Sequence, residues 1–235
     1  MPVPEDKFSP RLELSFSLAV GSLILFTVFL PAFTAGMQEI LPPWLFLLLL
    51  TVPVQTANIA SCVIPAWRYS PGQPLRDVLD LKPPSDQDLS HIILGTLAVY
   101  GGLALVTGIM ALSLRKMGLE PQEQAAVAIF RSGTPLQISI LMPATVILAP
   151  IGEEFCFRYA LYKKLEYHFG PLHGVWLTSL IFAAAHLNLQ VFPSLFLLGL
   201  WLTSLYRRTG SLLAPMIAHA MFNGLSVLLI WVIAR

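Results

Sequence analysis

Three short stretches of the sequence place ionisable and amide side chains where an apolar run would otherwise continue. They are Glu153-Glu154-Phe155-Cys156-Phe157-Arg158, Phe182-Ala183-Ala184-Ala185-His186 and His219-Ala220-Met221-Phe222-Asn223. In a bilayer each charged group costs roughly 2.5–3.5 kcal/mol on insertion scales, so such residues must face one another or a wet cavity. Carboxylates and imidazoles are the groups that move protons, and imidazole and amide N–H groups are the ones that hold an oxyanion. Spacing sorts them further. Glu154 and Arg158 stand four apart with the acid first, the favourable order for an ion pair on one helix face. Glu153 is then rotated by about 100° and points elsewhere. His219 and Asn223 are also four apart, so one reacting atom can meet both.

The elements that must carry these groups are membrane helices. The 235 residues are 56% hydrophobic and only 11% charged, with a mean hydropathy of +0.72. Soluble domains carry about 25% charged residues, so this chain lacks the charge to cover a water-facing surface. A net charge of +1 gives no electrostatic case for a nucleic-acid partner. Apolar segments fall at roughly 12–35, 43–65, 89–114, 136–163, 172–188, 192–206 and 211–234. In lipid a continuous apolar run must be helical, because an unpaired backbone amide there costs several kcal/mol. The expected fold is therefore all-α and polytopic, with about seven spans and a buried polar site in the C-terminal half. Residues 1–135 supply N-terminal spans, a cytoplasmic loop and a surface helix; residues 136–235 form the core that carries the site, both within one integrated membrane domain.

Several details refine that picture. Glu5, Asp6, Lys7, Arg11 and Glu13 precede the first apolar run, which is too long for a cleaved leader, so Leu14 to Ala35 reads as an uncleaved span. Pro31, Pro53, Pro143 and Pro150 predict kinks. Tyr69 to Asp88 carries the punctuation of a surface loop, and Glu120 to Gly133 that of a short interfacial helix with Pro121 near its first turn. With seven spans, Lys7, Arg11, Arg68, Arg76, Lys82, Lys163, Lys164, Arg207 and Arg208 lie on one side. Arg115, Lys116, Arg131 and Arg235 lie on the other, nine against four. The richer side is expected to be cytoplasmic, which puts the N-terminus inside. Counting about 1.5 Å per residue from Lys163, Pro171 and Arg208 puts Glu153, His186, His219 and Asn223 within one layer about 8 Å thick.

In this order and on separate spans, Glu-Glu-x-x-x-Arg, Phe-x-x-x-His and His-x-x-x-Asn resemble the CAAX-protease and bacteriocin-processing (Abi) family. The run Tyr206-Arg207-Arg208-Thr209-Gly210-Ser211-Leu212, followed by Pro215 to His219, is similar to that family's approach to its last motif. The resemblance covers roughly residues 140–230. It implies an endopeptidase of the bacterial inner-membrane type, with a site open to the cytoplasmic side. In it Glu153 with His186 would activate water, His219 and Asn223 would hold the oxyanion, and Glu154 with Arg158 would brace the site. The substrate it implies is a peptide or a membrane-protein segment, lipidated in some members, met at the lipid boundary. Glu153, His186 and His219 are also a candidate His₂Glu zinc set, although the usual His-Glu-x-x-His helix is absent and a metal-free water mechanism uses the same residues.

Plainer readings stand beside these. Glu154 and Arg158 alone would be a structural ion pair, Asn223 an interhelical hydrogen bond, and each histidine a core residue bonded to a carbonyl. Cys62 and Cys156 read as small apolar filler, and Cys156 lies on another helix face from Glu153. His91, His168 and His173 fall at span ends and read as interfacial. Lys163 and Lys164 read as snorkelling anchors, and Trp44, Trp67 and Trp231 as interface belts. Two other functions use the same residues: a non-catalytic scaffold or assembly subunit, and a proton-coupled transporter. The transporter is disfavoured by the lack of an inverted repeat.

Overall fold

The computed structural model describes residues 9–29, 34–121 and 124–233, and every regular element among them is helical. Helix α1, Pro10–Ile24, starts where the Ser9 side chain accepts from the Leu12 amide, and it continues through a π turn at Leu25–Phe29. Helix α2 is Pro43–Tyr69 and α3 is Asp86–Lys116. Helix α3 shows why its ends hold. Ser85 caps it, Asp86 and Asp88 lie at the positive end of the helix dipole, and Arg115 and Lys116 lie at the negative end. A short helix, α4, spans Ala125–Ser132. Then α5 at Pro135–Pro143, opened by a Thr134–Gln137 capping box, leads through π turns into α6 at Ala149–Glu154. The remaining helices are α7 at Lys163–Ala185, α8 at Phe192–Thr209 and α9 at Leu213–Ile233.

Five stretches among the described residues are long and apolar enough to cross a membrane: Pro10–Phe29, Pro43–Tyr69, Asp86–Lys116, Pro135–Ala185 and Leu213–Ile233. The chain is an integral membrane protein. The expected fourth and fifth spans run on as one helical stretch, broken where Gly170 takes a φ of 79° ahead of Pro171. The expected sixth is helix α8, which Ser194, Thr203, Tyr206 and the Arg207-Arg208 pair make too polar to count as a span on composition alone. Five stretches among the described residues thus meet the length and apolarity of a span; the division at Gly170 and helix α8 supply the two further segments of the expected seven. The short helix also differs from expectation: it begins at Ala125, so Pro121 lies outside it, and its Ile129 and Phe130 are buried against the bundle. Glu5, Asp6, Lys7, Pro31, Gln122, Glu123 and Arg235 lie outside the described residues.

The Tyr69–Asp88 connection is pinned rather than loose. Asp80, at a left-handed φ of 55°, accepts from Lys163 Nζ at 2.6 Å and Tyr206 Oη at 2.5 Å, and its carbonyl accepts from the Leu212 amide. Tyr159 Oη donates to the Val78 carbonyl, Ser211 to that of Lys82, Arg11 to Ser70, and Lys164 pairs with Glu13. The polar ends of α1, α2, α7 and α8 are thereby tied at one end of the bundle.

Close helix contact supplies the rest. The backbone of α8 approaches α7 so nearly that a Cβ on Gly199 would lie 3.0 Å from Ser179 Cα. Overpacking of that kind costs typically about 1–3 kcal/mol. Gly199→Leu is expected to lower the midpoint of thermal unfolding in detergent, whereas Gly101→Ala, with open space around its Cβ, leaves it unchanged or slightly higher.

Candidate active site

Apart from Glu153, which is half-buried, the Glu-Glu-x-x-x-Arg motif lies in a fully buried stretch. Glu154 ends α6, and the eight residues of the π turn that follows, Phe155–Tyr162, are all buried. One helix therefore meets neighbours on all sides and can keep a charged pair from lipid. Arg158 Nη1 donates to Glu154 Oε1 at 2.9 Å with both side chains fully buried. Arg158 Nη2 reaches the Gly199 carbonyl of α8 at 3.4 Å, and the guanidinium lies over the Phe182 ring, 4.6 Å from its centroid. The ion pair thus ties three elements together.

Glu154 has a second partner. His219 Nδ1 lies 2.8 Å from Glu154 Oε1, so that nitrogen donates to the carboxylate and the ring is fixed in orientation. His219 is itself 4% exposed. The opposite nitrogen, Nε2, faces Glu153, 3.8 Å from Oε2. The two neighbouring carboxylates are thus divided. Glu154 is enclosed, its Oε1 accepting from both a cation and an imidazole, while Glu153 lines a cavity; the Oε2 of each is buried and accepts no hydrogen bond from the protein.

That cavity, of about 410 Å³, is lined by Glu153, His186, His219 and Asn223 among others, so four of the six residues singled out by spacing share one space. His186 follows the last residue of α7 rather than lying within it. Its Nδ1 donates to the Phe182 carbonyl at 2.8 Å, which leaves Nε2 as the lone-pair nitrogen. Phe182 packs against both imidazoles, at 4.9 Å from His186 and 5.9 Å from His219, and spaces them. Asn223 gives one Nδ2 hydrogen to the Thr145 carbonyl at 2.9 Å and keeps the other. The remaining two residues, Glu154 and Arg158, stand behind the cavity. Among the described residues no three His, Cys, Asp or Glu side chains are grouped closely enough to hold a metal ion. Glu153, His186 and His219 therefore do not make the three-ligand set a zinc site needs in this arrangement.

Cys156 points away, toward the Ala19 carbonyl, and Cys62 donates to the Phe155 carbonyl, so neither thiol lines the cavity. His91 rests on Trp201, and His168 and His173 lie outside the site. Among the polar lining residues that spacing did not single out, one touches the motif directly. Gln55 of α2 donates to Glu153 Oε1 at 3.4 Å. The signal existed: Gln55, Asn58 and Ser61 recur every three residues on one face of an otherwise apolar helix, and all three are buried.

Comparison with known proteins bears out the resemblance carried by the motifs. Residues 135–225 match the family described as type II CAAX prenyl endopeptidase Rce1-like. The chain is 33% identical over 134 residues to an uncharacterized 24.3 kDa protein of Escherichia coli, covering 54% of this chain and 58% of that protein. It is 30% identical over 117 residues to YdiL, a candidate membrane peptidase of Bacillus subtilis, covering 48% and 45%. It is 25% identical over 164 residues to the membrane-embedded CAAX protease MroQ of Staphylococcus aureus, covering 66% and 63%. The chain thus spans about half the length of the curated relatives it matches. No solved structure matches.

Burial sets the consequence of breaking the motif. Removing one partner of a buried pair strands the other charge, at a cost of about 3–5 kcal/mol. Arg158→Met is expected to lower the unfolding midpoint and the yield of folded protein sharply, and pairing it with Glu154→Gln recovers much of the loss. Circular dichroism melts in detergent read both.

Proposed function

We propose that this chain, which matches the type II CAAX prenyl endopeptidase family over residues 135–225, is an intramembrane endopeptidase that hydrolyses a peptide bond with water activated by Glu153. The observation that carries the reading is the shared cavity, into which Glu153, His186, His219 and Asn223 all open. Glu153 Oε2, free of protein donors, takes a proton from water while the water oxygen attacks the peptide carbonyl carbon. His186, with Nδ1 committed to a carbonyl, has Nε2 left to accept a hydrogen bond from that water. The carbonyl oxygen gains the charge. The spare hydrogen on Asn223 Nδ2 and a hydrogen on His219 Nε2 hold it, the latter making His219 an imidazolium that offsets the second carboxylate. When the C–N bond breaks, the proton on Glu153 passes to the leaving amine. Glu154 and Arg158 keep His219 in place.

The substrate in this reading is a peptide or membrane-protein segment that meets the site at the lipid boundary. The site opens to the cytoplasm with the N-terminus inside. In support, Arg11, Lys82, Lys163 and Lys164 take part in the ties at one end of the bundle, and Arg207 and Arg208 end α8 there. That is where the positive-inside rule puts the cytoplasm. A reporter fused after Arg235 that is active only outside the cytoplasm is expected to be active; an inactive reporter at normal expression would reverse the orientation.

The activity is tested with purified protein in nanodiscs and a panel of fluorogenic peptides, with and without a thioether-linked lipid. The wild type is expected to cleave at least one class. Glu153→Gln should lower the rate by about 10²–10⁴-fold, the usual contribution of a general base, with the unfolding midpoint near that of the wild type. Cleavage that persists in Glu153→Gln would remove Glu153 from the base role. A wild type inert toward every peptide, with a cellular phenotype indifferent to Glu153→Gln, would instead support a scaffold that keeps the fold.

A further inference from the structure

The N-terminal helices lie outside the family match, yet they reach the reacting carboxylate. A line of polar groups, its two amides buried and its serine half-buried, crosses from α1 through α2 to Glu153. Ser22 Oγ donates to Asn58 Oδ1 at 2.9 Å, Asn58 Nδ2 donates to Gln55 Oε1 at 3.2 Å, and Gln55 Nε2 donates to Glu153 Oε1 at 3.4 Å. Every donor points the same way, and each amide accepts from one neighbour while donating to the next. Such a chain is polarised so that the last donor is strengthened. It ends on a carboxylate, the acceptor that profits most.

The backbone is shaped to permit this contact. Any Cβ on Gly152 would strike Gln55, falling 2.8 Å from its Cβ and 2.9 Å from its Cα. Gly152 therefore lets α2 lie against α6 closely enough for the amide to reach the next residue. Gln55 and Asn58 are 6% and 5% exposed, so neither is a solvated surface group that happens to touch the site. A polar group buried in a membrane helix must find a partner, and here each finds one in the direction of Glu153.

We infer that Gln55 is the positioning residue for the proposed base, fixing Glu153 Oε1 against α2 and leaving Oε2, to which no protein group donates, as the oxygen that takes the proton. Asn58 and Ser22 hold the Gln55 amide in the donating orientation. A free carboxylate would rotate about its last bond and present either oxygen; the amide removes that freedom. The groups around Glu153 are Glu154, Cys156 and Arg158 on its own helical stretch, His219 on α9 and His186 after α7. From α2 the nearest titratable group is Cys62, which bonds elsewhere. Gln55 is thus the donor that fixes the Oε1 side.

This inference rests on the hydrolytic reading above, so its test has one arm that needs no activity. In the infrared spectrum, the Glu153 carboxyl band is identified by its disappearance in Glu153→Gln. Gln55→Leu is expected to shift that band, and Thr56→Val, which loses only a bond to the Val52 carbonyl of its own helix, leaves it in place. In the kinetic arm, with the peptide the wild type cleaves best, Gln55→Leu is expected to lower kcat by about 10–100-fold, the ordinary worth of one hydrogen bond to a charged group. KM should stay within about twofold, because the substrate touches Glu153 and not the amide behind it. Asn58→Leu should give a smaller loss of the same kind, and it carries both arms if Gln55→Leu does not fold. A Glu153 band that stays put in both variants would overturn the assignment, as would a kcat unchanged in both. If the wild type cleaves nothing while the band still moves, the hydrolytic reading fails and the contact between α2 and Glu153 stands.

Discussion

Everything about this site depends on holding Glu154, fully buried, between a cation and an imidazole. An isolated carboxylate in the interior of a membrane bundle would be very costly, and the effective penalty is still several kcal/mol per ion after relaxation. The chain meets that cost with two partners on one oxygen, Oε1: Arg158 one turn along the same helix and His219 from α9. Each partner is itself immobilised by the contact. The ion pair thus does more than neutralise charge: it converts one burial problem into a fixed orientation for an imidazole whose other nitrogen faces the cavity.

The surrounding fold is arranged to make that possible. The π turn at Phe155–Tyr162 follows Glu154 directly, and its eight residues are buried on every side, which places Arg158 where lipid cannot reach it. Phe182 serves three neighbours at once, lying under the guanidinium and between the two imidazoles. Gly199 and Gly152 bring α8 and α2 close enough to supply a carbonyl to Arg158 and an amide to Glu153. At the far end of the same bundle, Asp80 with Lys163 and Tyr206 holds the ends of α7 and α8 in register.

Much of this was legible because lipid simplifies the problem. A charged residue in an apolar run has few physical options, so Glu153, Glu154, Arg158, His186, His219 and Asn223 stand out without structural information. Helical spacing alone predicts the Glu154–Arg158 contact. What spacing could not convey is which group across the bundle completes each one. That Glu154 rather than Glu153 holds His219 depends on the crossing of α6 and α9, a tertiary fact. The count of spans was less secure for the same reason. A helix such as α8, which buries Ser194, Thr203 and Tyr206 among neighbours and ends in an exposed Arg207-Arg208 pair, looks too polar to span, and a break at one glycine divides a stretch that apolarity alone reads as continuous or separate depending on where loops are drawn. Gln55 carries little signal in the sequence, because an uncharged amide in a span is tolerated for ordinary interhelical bonding and only its partner marks it out.

Two adjacent glutamates with opposite surroundings form an arrangement common to acid–base sites, in which environment rather than residue type assigns the role. Helix geometry makes that division nearly unavoidable here. Consecutive residues point about 100° apart, so when one carboxylate turns inward to the ion pair its neighbour must turn toward a different space. In this bundle that space is the cavity between α2, α7 and α9. Had the pair been separated by three or four residues, both acids would have shared one face and competed for the same cation and histidine. In the proposed mechanism, adjacency lets one motif supply both the brace and the base. It also makes the two inseparable, because any rotation of the helix that exposes Glu154 withdraws Glu153 from the cavity.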